Sequence, residues 1–174
     1  MDLQYPIGKF QWGGAITDEQ REQLIAQIEQ APAQLRQAVA GLTQEQIDTP
    51  YRPEGWTVRQ VVHHVCDSDM NLYVRFRLAL TEDEPTVKSF AQEGWANLED
   101  ARTAPTELSL SLLDALHQRW VLLLRSLRPA DFARTFQHPE RGVVALEKYL
   151  GMAAWHGRHH VAHITSLRDR MGWK

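Results

Sequence analysis

The chain has 174 residues, of which 43% are hydrophobic and 24% charged, and its formal net charge is −3. This composition predicts a single domain over residues 1–174 with a proper hydrophobic core. The acidic balance argues against nucleic acid as a partner, because phosphate binding needs a basic face, and no apolar run approaches a membrane span. The first residues lack a signal-peptide pattern, and the one cysteine, Cys66, excludes an internal disulfide. We therefore expect a cytoplasmic protein with no membrane partner.

Helical spacing of apolar residues dominates the chain, whereas strand signals are sparse. Residues 1–16 are rich in glycine and are expected to form an irregular arm packed on the body. Long helices are predicted over about 17–40, 58–80, 105–128 and 146–171. Four long helices in one domain predict an all-α fold, an antiparallel four-helix bundle whose cofactor sites form between facing helices.

The helix starts and connections have their own signals. Capping boxes occur at "TDEQ" (17–20), "TQEQ" (43–46) and "TVRQ" (57–60), and they predict the start of the first long helix, a short helix and the second long helix. Another short helix is predicted over about 93–100. "PADF" (129–132) and "QHPERG" (137–142) are predicted to be turns. The bundle is therefore expected to contain short connecting helices.

The segment "AWHGRHHVAH" at 154–163 holds four of the eight histidines of the chain. A helix turns by about 100° per residue, which places His156 and His160 on the apolar face of the last helix, one turn apart. On the helix predicted over 58–80, His64 lies at the edge of the buried face. Three protein ligands and an open position are typical of a catalytic zinc site, although imidazole also suits nickel, copper and iron.

The neighbouring polar residues are weaker candidates. His63 is predicted to face solvent, His159 to be rotated off the apolar face, and His163 to lie at its edge. Cys66 points about 160° away from the inward histidine of its helix and is expected to be a structural thiol. Asp67 is either a surface carboxylate or a group that orients a metal ligand. His117 and His138 receive no role.

An HxxxH pair has more than one interpretation. Core histidines that bond a carbonyl group, or a polar stripe on the helix, would produce the same pattern. Burying unpaired imidazoles costs roughly 1–3 kcal/mol each, which favours a ligand role. The chain has no HExxH, GxSxG or P-loop sequence, so no catalytic residue and no organic cofactor site are assigned.

Two long segments carry a family resemblance. "PYRPEGWTVRQVVHHVCDSDMNLYVRFRLALTE" and "LGMAAWHGRHHVAHITSLRDRMGW" resemble the YfiT group of the DinB-like superfamily. "YPIGKF" and "LHQRWVLLLRSL" fit as well, so the resemblance covers nearly the whole chain. It implies a four-helix bundle with one metal ion held by three histidines, which correspond by motif to His64, His156 and His160. The helical wheel places the same three residues inward.

The resemblance also implies a function. It indicates a metal-dependent hydrolase with one divalent metal ion per chain, zinc or, in purified protein, nickel, and a water nucleophile for a small-molecule substrate. It further implies a cytoplasmic homodimer. Asp69 stands where the resemblance implies a histidine, and we expect this difference to alter the rim of the pocket. Two alternatives stay open. One is an S-transferase that uses a low-molecular-weight thiol such as bacillithiol, and the other is a non-catalytic bundle whose helices are held together by the metal ion.

Overall fold

The computed structural model describes residues 2–173, and four long helices form its body. The helices are α1 (Asp18–Val39), α2 (Gln44–Ile47), α3 (Val58–Thr81), α4 (Gln92–Ala96), α5 (Glu99–Thr103), α6 (Thr106–Ser126) and α7 (Leu146–Met171). A 3-10 turn spans Pro129–Ala133, and two strands, β1 (Thr135–His138) and β2 (Gly142–Ala145), precede α7. The predicted four-helix bundle with short connecting helices is confirmed.

Local hydrogen bonds explain why three helices begin where the sequence predicts. In each capping box the threonine side chain accepts from the backbone N–H of the glutamine three residues later, and the glutamine side chain accepts from the threonine N–H. Gly172, with a φ of 65°, ends α7 in the left-handed conformation that glycine adopts without strain. These signals need no distant residue, so the predicted ends lie within one or two residues of the observed ones.

The order of the long helices around the bundle brings α3 and α7 together. Both α1 and α3 pack against α6 and α7, so the order around the bundle is α1, α6, α3, α7. The first two long helices of the chain therefore stand at opposite corners. Within residues 2–173, no helix is long and apolar enough to cross a membrane. The facing sides of α3 and α7 carry the histidines that the sequence analysis selected.

A short hairpin, for which the sequence carries only sparse strand signals, joins the 3-10 turn to α7. β1 and β2 pair in antiparallel register from Thr135 opposite Ala145 to His138 opposite Gly142, around the turn predicted at 137–142. Each strand has only four residues, too few for the alternation that marks a strand in a sequence. Distant backbone completes the hairpin, since the Val87 N–H donates to the carbonyl of Gln137 at 2.9 Å. The helix predicted over 93–100 is also two shorter helices, α4 and α5.

The N-terminal arm packs against α7. Residues 2–16 form neither helix nor strand. The ring of Trp12 lies against Gly151, where an added Cβ would stand only 2.5 Å from Cζ3 of the indole. Further along α7, Nε1 of Trp155 donates to the carbonyl of Gly8 at 3.3 Å. The arm therefore covers the side of α7 that carries the histidine-rich segment.

Candidate metal centre

Three histidines from two helices converge in the bundle. His64 on α3 and His156 and His160 on α7 each offer a ring nitrogen, and these nitrogens all lie within 4.8 Å of one another. The Nε2 atoms of His156 and His160 are 3.1 Å apart. Two ligands of a tetrahedral zinc ion, each about 2.0–2.1 Å from the metal, stand about 3.3 Å apart. The spacing of this pair therefore fits one shared cation.

Burial keeps the three rings in the form that binds metals. Burial, followed by the charges of neighbouring histidines, lowers the pKa of His64 to about 3. Burial and the charge of His64 lower the pKa of His156 to about 4, and the pKa of His160 lies well below its usual range for the same reasons. A neutral imidazole presents a lone pair to a cation. At neutral pH the group is therefore ready to bind a metal ion without first losing protons.

The tautomer of His160 is set by the next histidine on α7. Nε2 of His163 donates to the backbone carbonyl of Gln4 at 3.1 Å, so Nδ1 of His163 is the acceptor nitrogen. That atom lies 3.3 Å from Nδ1 of His160, which donates to it. Nε2 of His160 consequently carries the lone pair, and it is the atom that faces His156. A hydrogen bond on the far nitrogen orients metal-binding histidines in this way in many proteins.

A buried acid–histidine pair lies behind His156. Oδ2 of Asp69 accepts from Nε2 of His117 at 2.8 Å, and Nδ1 of His117 donates to the carbonyl of Ile28 at 2.6 Å. Both ring nitrogens face oxygen acceptors, so both carry protons. Burial opposes this charge, but the hydrogen bond and the charge of Asp69 outweigh it and raise the pKa of His117. Oδ1 of Asp69 stands 3.9 Å from Nδ1 of His156, and neither atom has a hydrogen-bond partner.

The place of Asp69 corrects the sequence analysis in one respect. The residue was expected at the pocket rim, yet its side chain is only 4% exposed and lies beneath the histidine group. The helical wheel carried a signal for this, since Asp69 follows Val61 by eight residues and so falls about 80° from it, close to the apolar face. His117 was assigned no role, although Leu113 and Trp120 flank it at helical spacing and are fully buried. Neither residue's partner can be predicted from its own helix, because the pairing joins α3 to α6.

His63 is not solvated, which contradicts the prediction. It is 6% exposed because the connection between α5 and α6 covers that side of α3. Its Nε2 donates to the carbonyl of Ala104 at 3.1 Å, and its Nδ1 accepts from Oγ of Ser109 at 2.7 Å. Burial lowers the pKa of this ring. With both nitrogens occupied, His63 is a hydrogen-bonded core residue outside the group of His64, His156 and His160.

His159 and His163 are also more buried than their positions on the helix predict. The indole of Trp155 stacks on His159 with ring centroids 4.4 Å apart, and Tyr5 of the arm lies 5.8 Å from the same ring. His159, His160 and His163 form a second group whose nitrogens lie within 4.8 Å of one another. In this group His163 is already engaged with the arm through its Nε2. The arm, which a helical wheel cannot include, accounts for the burial of these residues.

Cys66 and Asp67 lie outside the histidine group. Cys66 is buried, and burial followed by the charge of Asp67 raises the pKa of its thiol to about 12. Such a thiol is unreactive at neutral pH, which supports the structural role expected for it. Asp67 is partly buried, and burial followed by the charge of Asp100 raises its pKa to about 6. The carboxylate near the histidines is that of Asp69.

The three histidines open into a cavity of about 720 Å³. Its walls come from the arm, from the loop before α3 and from α7, and they include Phe10, Trp56 and Trp155. The ring centroid of Trp56 stands 4.5 Å from that of His64. A cavity of this size, with aromatic side chains among many polar and charged ones, has room for a small polar molecule.

Comparison with known proteins identifies the family. A sequence profile of the DinB superfamily matches residues 27–164, which is most of the chain. The chain belongs to the DinB superfamily. Its resemblance to the YfiT group is confirmed by a solved structure, YfiT from Bacillus subtilis, which is 48% identical and superposes over 100% of both chains with a TM-score of 0.97. That protein is described as "a probable metal-dependent hydrolase with an unusual four-helix bundle topology".

Other relatives are similar in sequence to this chain over nearly its whole length. A protein from Bacillus mycoides (strain KBAB4) is 56% identical over 172 residues, and one from Bacillus cereus (strain B4264) is 55% identical over 172 residues. In both cases the match covers 99% of each chain, and both are named "Putative metal-dependent hydrolase". A more distant four-helix bundle protein, TT2238, is 21% identical, with a TM-score of 0.56 over 81% of this chain and 94% of its own, and shows the shared fold alone.

Proposed function

We propose that this chain is a metal-dependent hydrolase in which His64, His156 and His160 hold one divalent cation, most suitably zinc, next to a small-molecule substrate. The observation that carries the proposal is the convergence of three neutral imidazoles, with nitrogens within 4.8 Å, beside a cavity of about 720 Å³. The names of the Bacillus relatives support the same activity, and those relatives match over 99% of their length.

A bound divalent cation supplies Lewis acidity and lowers the pKa of water toward about 7. The contribution of the protein is to keep the ligands neutral and correctly oriented. His163 and the carbonyl of Gln4 hold the proton of His160 on Nδ1, so Nε2 is left to bind. Asp69 stands where it can accept the Nδ1 proton of His156.

Metal analysis of untagged protein tests the ligand set. We expect about one zinc ion per chain in the wild type by inductively coupled plasma mass spectrometry, and none in His156→Ala or His160→Ala. His63→Gln is the matched control, because it changes a buried histidine of α3 that lies outside the group, and its metal content should equal that of the wild type. Absence of metal from wild-type protein, even after zinc is offered and the excess removed, would refute the proposal.

A substrate screen tests the reaction type. Zinc-loaded protein is assayed with small esters and amides, with and without glutathione or bacillithiol. Turnover without thiol, abolished in His160→Ala, supports hydrolysis. Turnover only with thiol would replace hydrolysis by S-transfer at the same three histidines. Metal-dependent stability with no turnover of any substrate would favour the non-catalytic bundle. Light scattering during gel filtration tests the homodimer that the family resemblance implies.

A further inference from the structure

A second cavity, of about 410 Å³, adjoins the histidine group. It lies between α3, α7 and the hairpin turn, and His156 forms part of its wall. The larger cavity has His156, Arg141 and Met152 in its own wall, so the two spaces meet at these residues. A molecule bound across this junction would place one end in the second cavity and another beside the histidines.

A buried arginine lines this second cavity without an acidic partner. Arg75, in the middle of α3, is 7% exposed. Its Nη1 donates to the hydroxyl of Tyr149, and its Nη2 donates to the carbonyl of Lys88 at 2.7 Å. Both acceptors are uncharged, and no carboxylate of residues 2–173 forms a salt bridge with it. A buried charge is costly unless it is compensated, and three of the five guanidinium N–H groups have no partner in these two contacts.

A second arginine reaches the same cavity from the hairpin turn. Nη1 of Arg141 contacts the sulfur of Met152 at 2.8 Å, a weak acceptor, and Arg141 likewise forms no salt bridge within the described part of the chain. The adjacent acid, Glu140, instead accepts from Oγ of Ser89 at 2.9 Å. The other acid in the wall, Glu93, accepts from Nε1 of Trp56 at 3.2 Å and belongs to both cavities. Neither glutamate pairs with an arginine.

Charges of both signs line the cavity, because Arg75 and Arg141 share its wall with Glu93 and Glu140. Burial lowers the pKa of His138 on the cavity wall, and the charges of Arg75 and then Arg141 lower it further, outweighing the opposite effect of Glu140. The charges of the same two arginines also favour the ionised form of the Tyr149 hydroxyl, although burial raises the pKa of this group overall. The guanidinium group of Arg75 is buried and that of Arg141 is exposed, and neither forms a salt bridge with the glutamates of the wall. Two such groups at one cavity are suited to a carboxylate or phosphate, whose oxygens they bind through parallel N–H donors.

We propose that the second cavity is an anion subsite, in which Arg75 and Arg141 bind a carboxylate or phosphate group of the substrate. The hydroxyl of Tyr149 accepts from Arg75 and retains its own proton to donate to the anion. This proposal rests on the proposed function, because it assigns the anion to a substrate of the hydrolase. It predicts that the substrate is a small organic anion whose reactive bond lies toward His156. The ability of the cavity to bind an anion is independent of hydrolysis.

Nuclear magnetic resonance titration with inorganic phosphate tests the subsite directly. Untagged ¹⁵N-labelled full-length protein in a chloride buffer is titrated, and the side-chain Nε–H signal of Arg75 is followed. We expect this signal to shift with saturation in the wild type, and the affinity to fall about tenfold in Arg141→Gln, which removes one charge-assisted contact. Arg158→Gln, a matched removal of an exposed arginine of α7 outside this cavity, should bind phosphate as tightly as the wild type.

Further measurements distinguish the possible binding sites of the anion. His160→Ala removes a proposed metal ligand, and we expect it to retain phosphate binding at Arg75; loss of binding in this variant would place the anion on the metal and overturn the subsite. Equal affinities in wild type and Arg141→Gln, or no saturable shift, would overturn it as well. If phosphate binds as expected but no ester is hydrolysed, the subsite stands and the proposed function fails. If hydrolysis occurs, Arg141→Gln should raise KM more for an anionic ester than for a neutral ester of similar size.

Discussion

Replacing Asp69 by alanine should weaken both the fold and the metal site. The side chains of Asp69 and His117 are each 4% exposed, and their hydrogen bond is 2.8 Å long. If His117 kept its charge, removing the counter-ion would cost about 3–5 kcal/mol. Loss of the proton limits this cost, because a neutral ring keeps its bond to Ile28 and leaves one buried nitrogen unpaired, at about 1–3 kcal/mol. We therefore expect a loss of about 2–3 kcal/mol in the free energy of unfolding at pH 7.

The same variant should bind metal less tightly. Asp69 is the acceptor nearest to Nδ1 of His156, at 3.9 Å. Removal of a carboxylate behind a metal-binding histidine typically costs 10–100-fold in affinity, which corresponds to about 1.4–2.7 kcal/mol. Asp69→Asn keeps the shape and one oxygen acceptor, so its loss of stability should be about 1 kcal/mol.

Two measurements check this reasoning. Urea unfolding of metal-free protein gives the stability, and competition with a zinc-binding dye gives the affinity. Asp67→Ala is the matched control, because Asp67 lies on the same helix and only two residues away, yet it has no contact with His117 or His156. We expect it to change stability by less than about 0.5 kcal/mol. The reasoning is refuted if Asp69→Ala loses no more stability than Asp67→Ala, or if its zinc affinity equals that of the wild type.

Two other predictions follow from the burial of the histidine group and from the packing of the N-terminal arm on α7. Burial lowers the pKa of His64 to about 3 and that of His156 to about 4, from an ordinary value of 6.5. At a pH between these values and 6.5, the unfolded chain therefore binds more protons than the folded protein. Metal-free protein should therefore lose stability as the pH falls from 6.5 toward 4, by up to about 1.4 kcal/mol per pH unit for each ring; equal urea midpoints at pH 7.5 and pH 5 would contradict this. Gly151→Ala should push Trp12 away and expose residues 2–16 to trypsin, whereas Gly94→Ala, whose Cβ would meet its nearest atom at 4.0 Å, should leave the rate of cleavage unchanged.

Helix positions and the inward histidines could be predicted because they depend on local geometry. A capping box such as Thr57 with Gln60 closes within four residues, so its hydrogen bonds are implied by the residues themselves. The turn angle of a helix likewise places His156 and His160 on one face whatever surrounds them. Since both helices are amphipathic, their apolar faces must meet in a core, and any histidine on those faces is carried into it.

Tertiary packing decided which other side chains are buried around the site and which partners they contact. His63 and His159 lie off the apolar faces of their helices, and they are buried because the α5–α6 connection covers one and the N-terminal arm covers the other. Asp69 and His117 stand 48 residues apart, and their pairing exists only because α3 and α6 are neighbours in the bundle. Periodicity within one helix reports which way a side chain points, whereas burial, hydrogen-bond partners and charge depend on the elements that pack against it. The sequence alone therefore determined the three candidate ligands, and the tertiary structure determined the acid behind them and the arginine-lined cavity beside them.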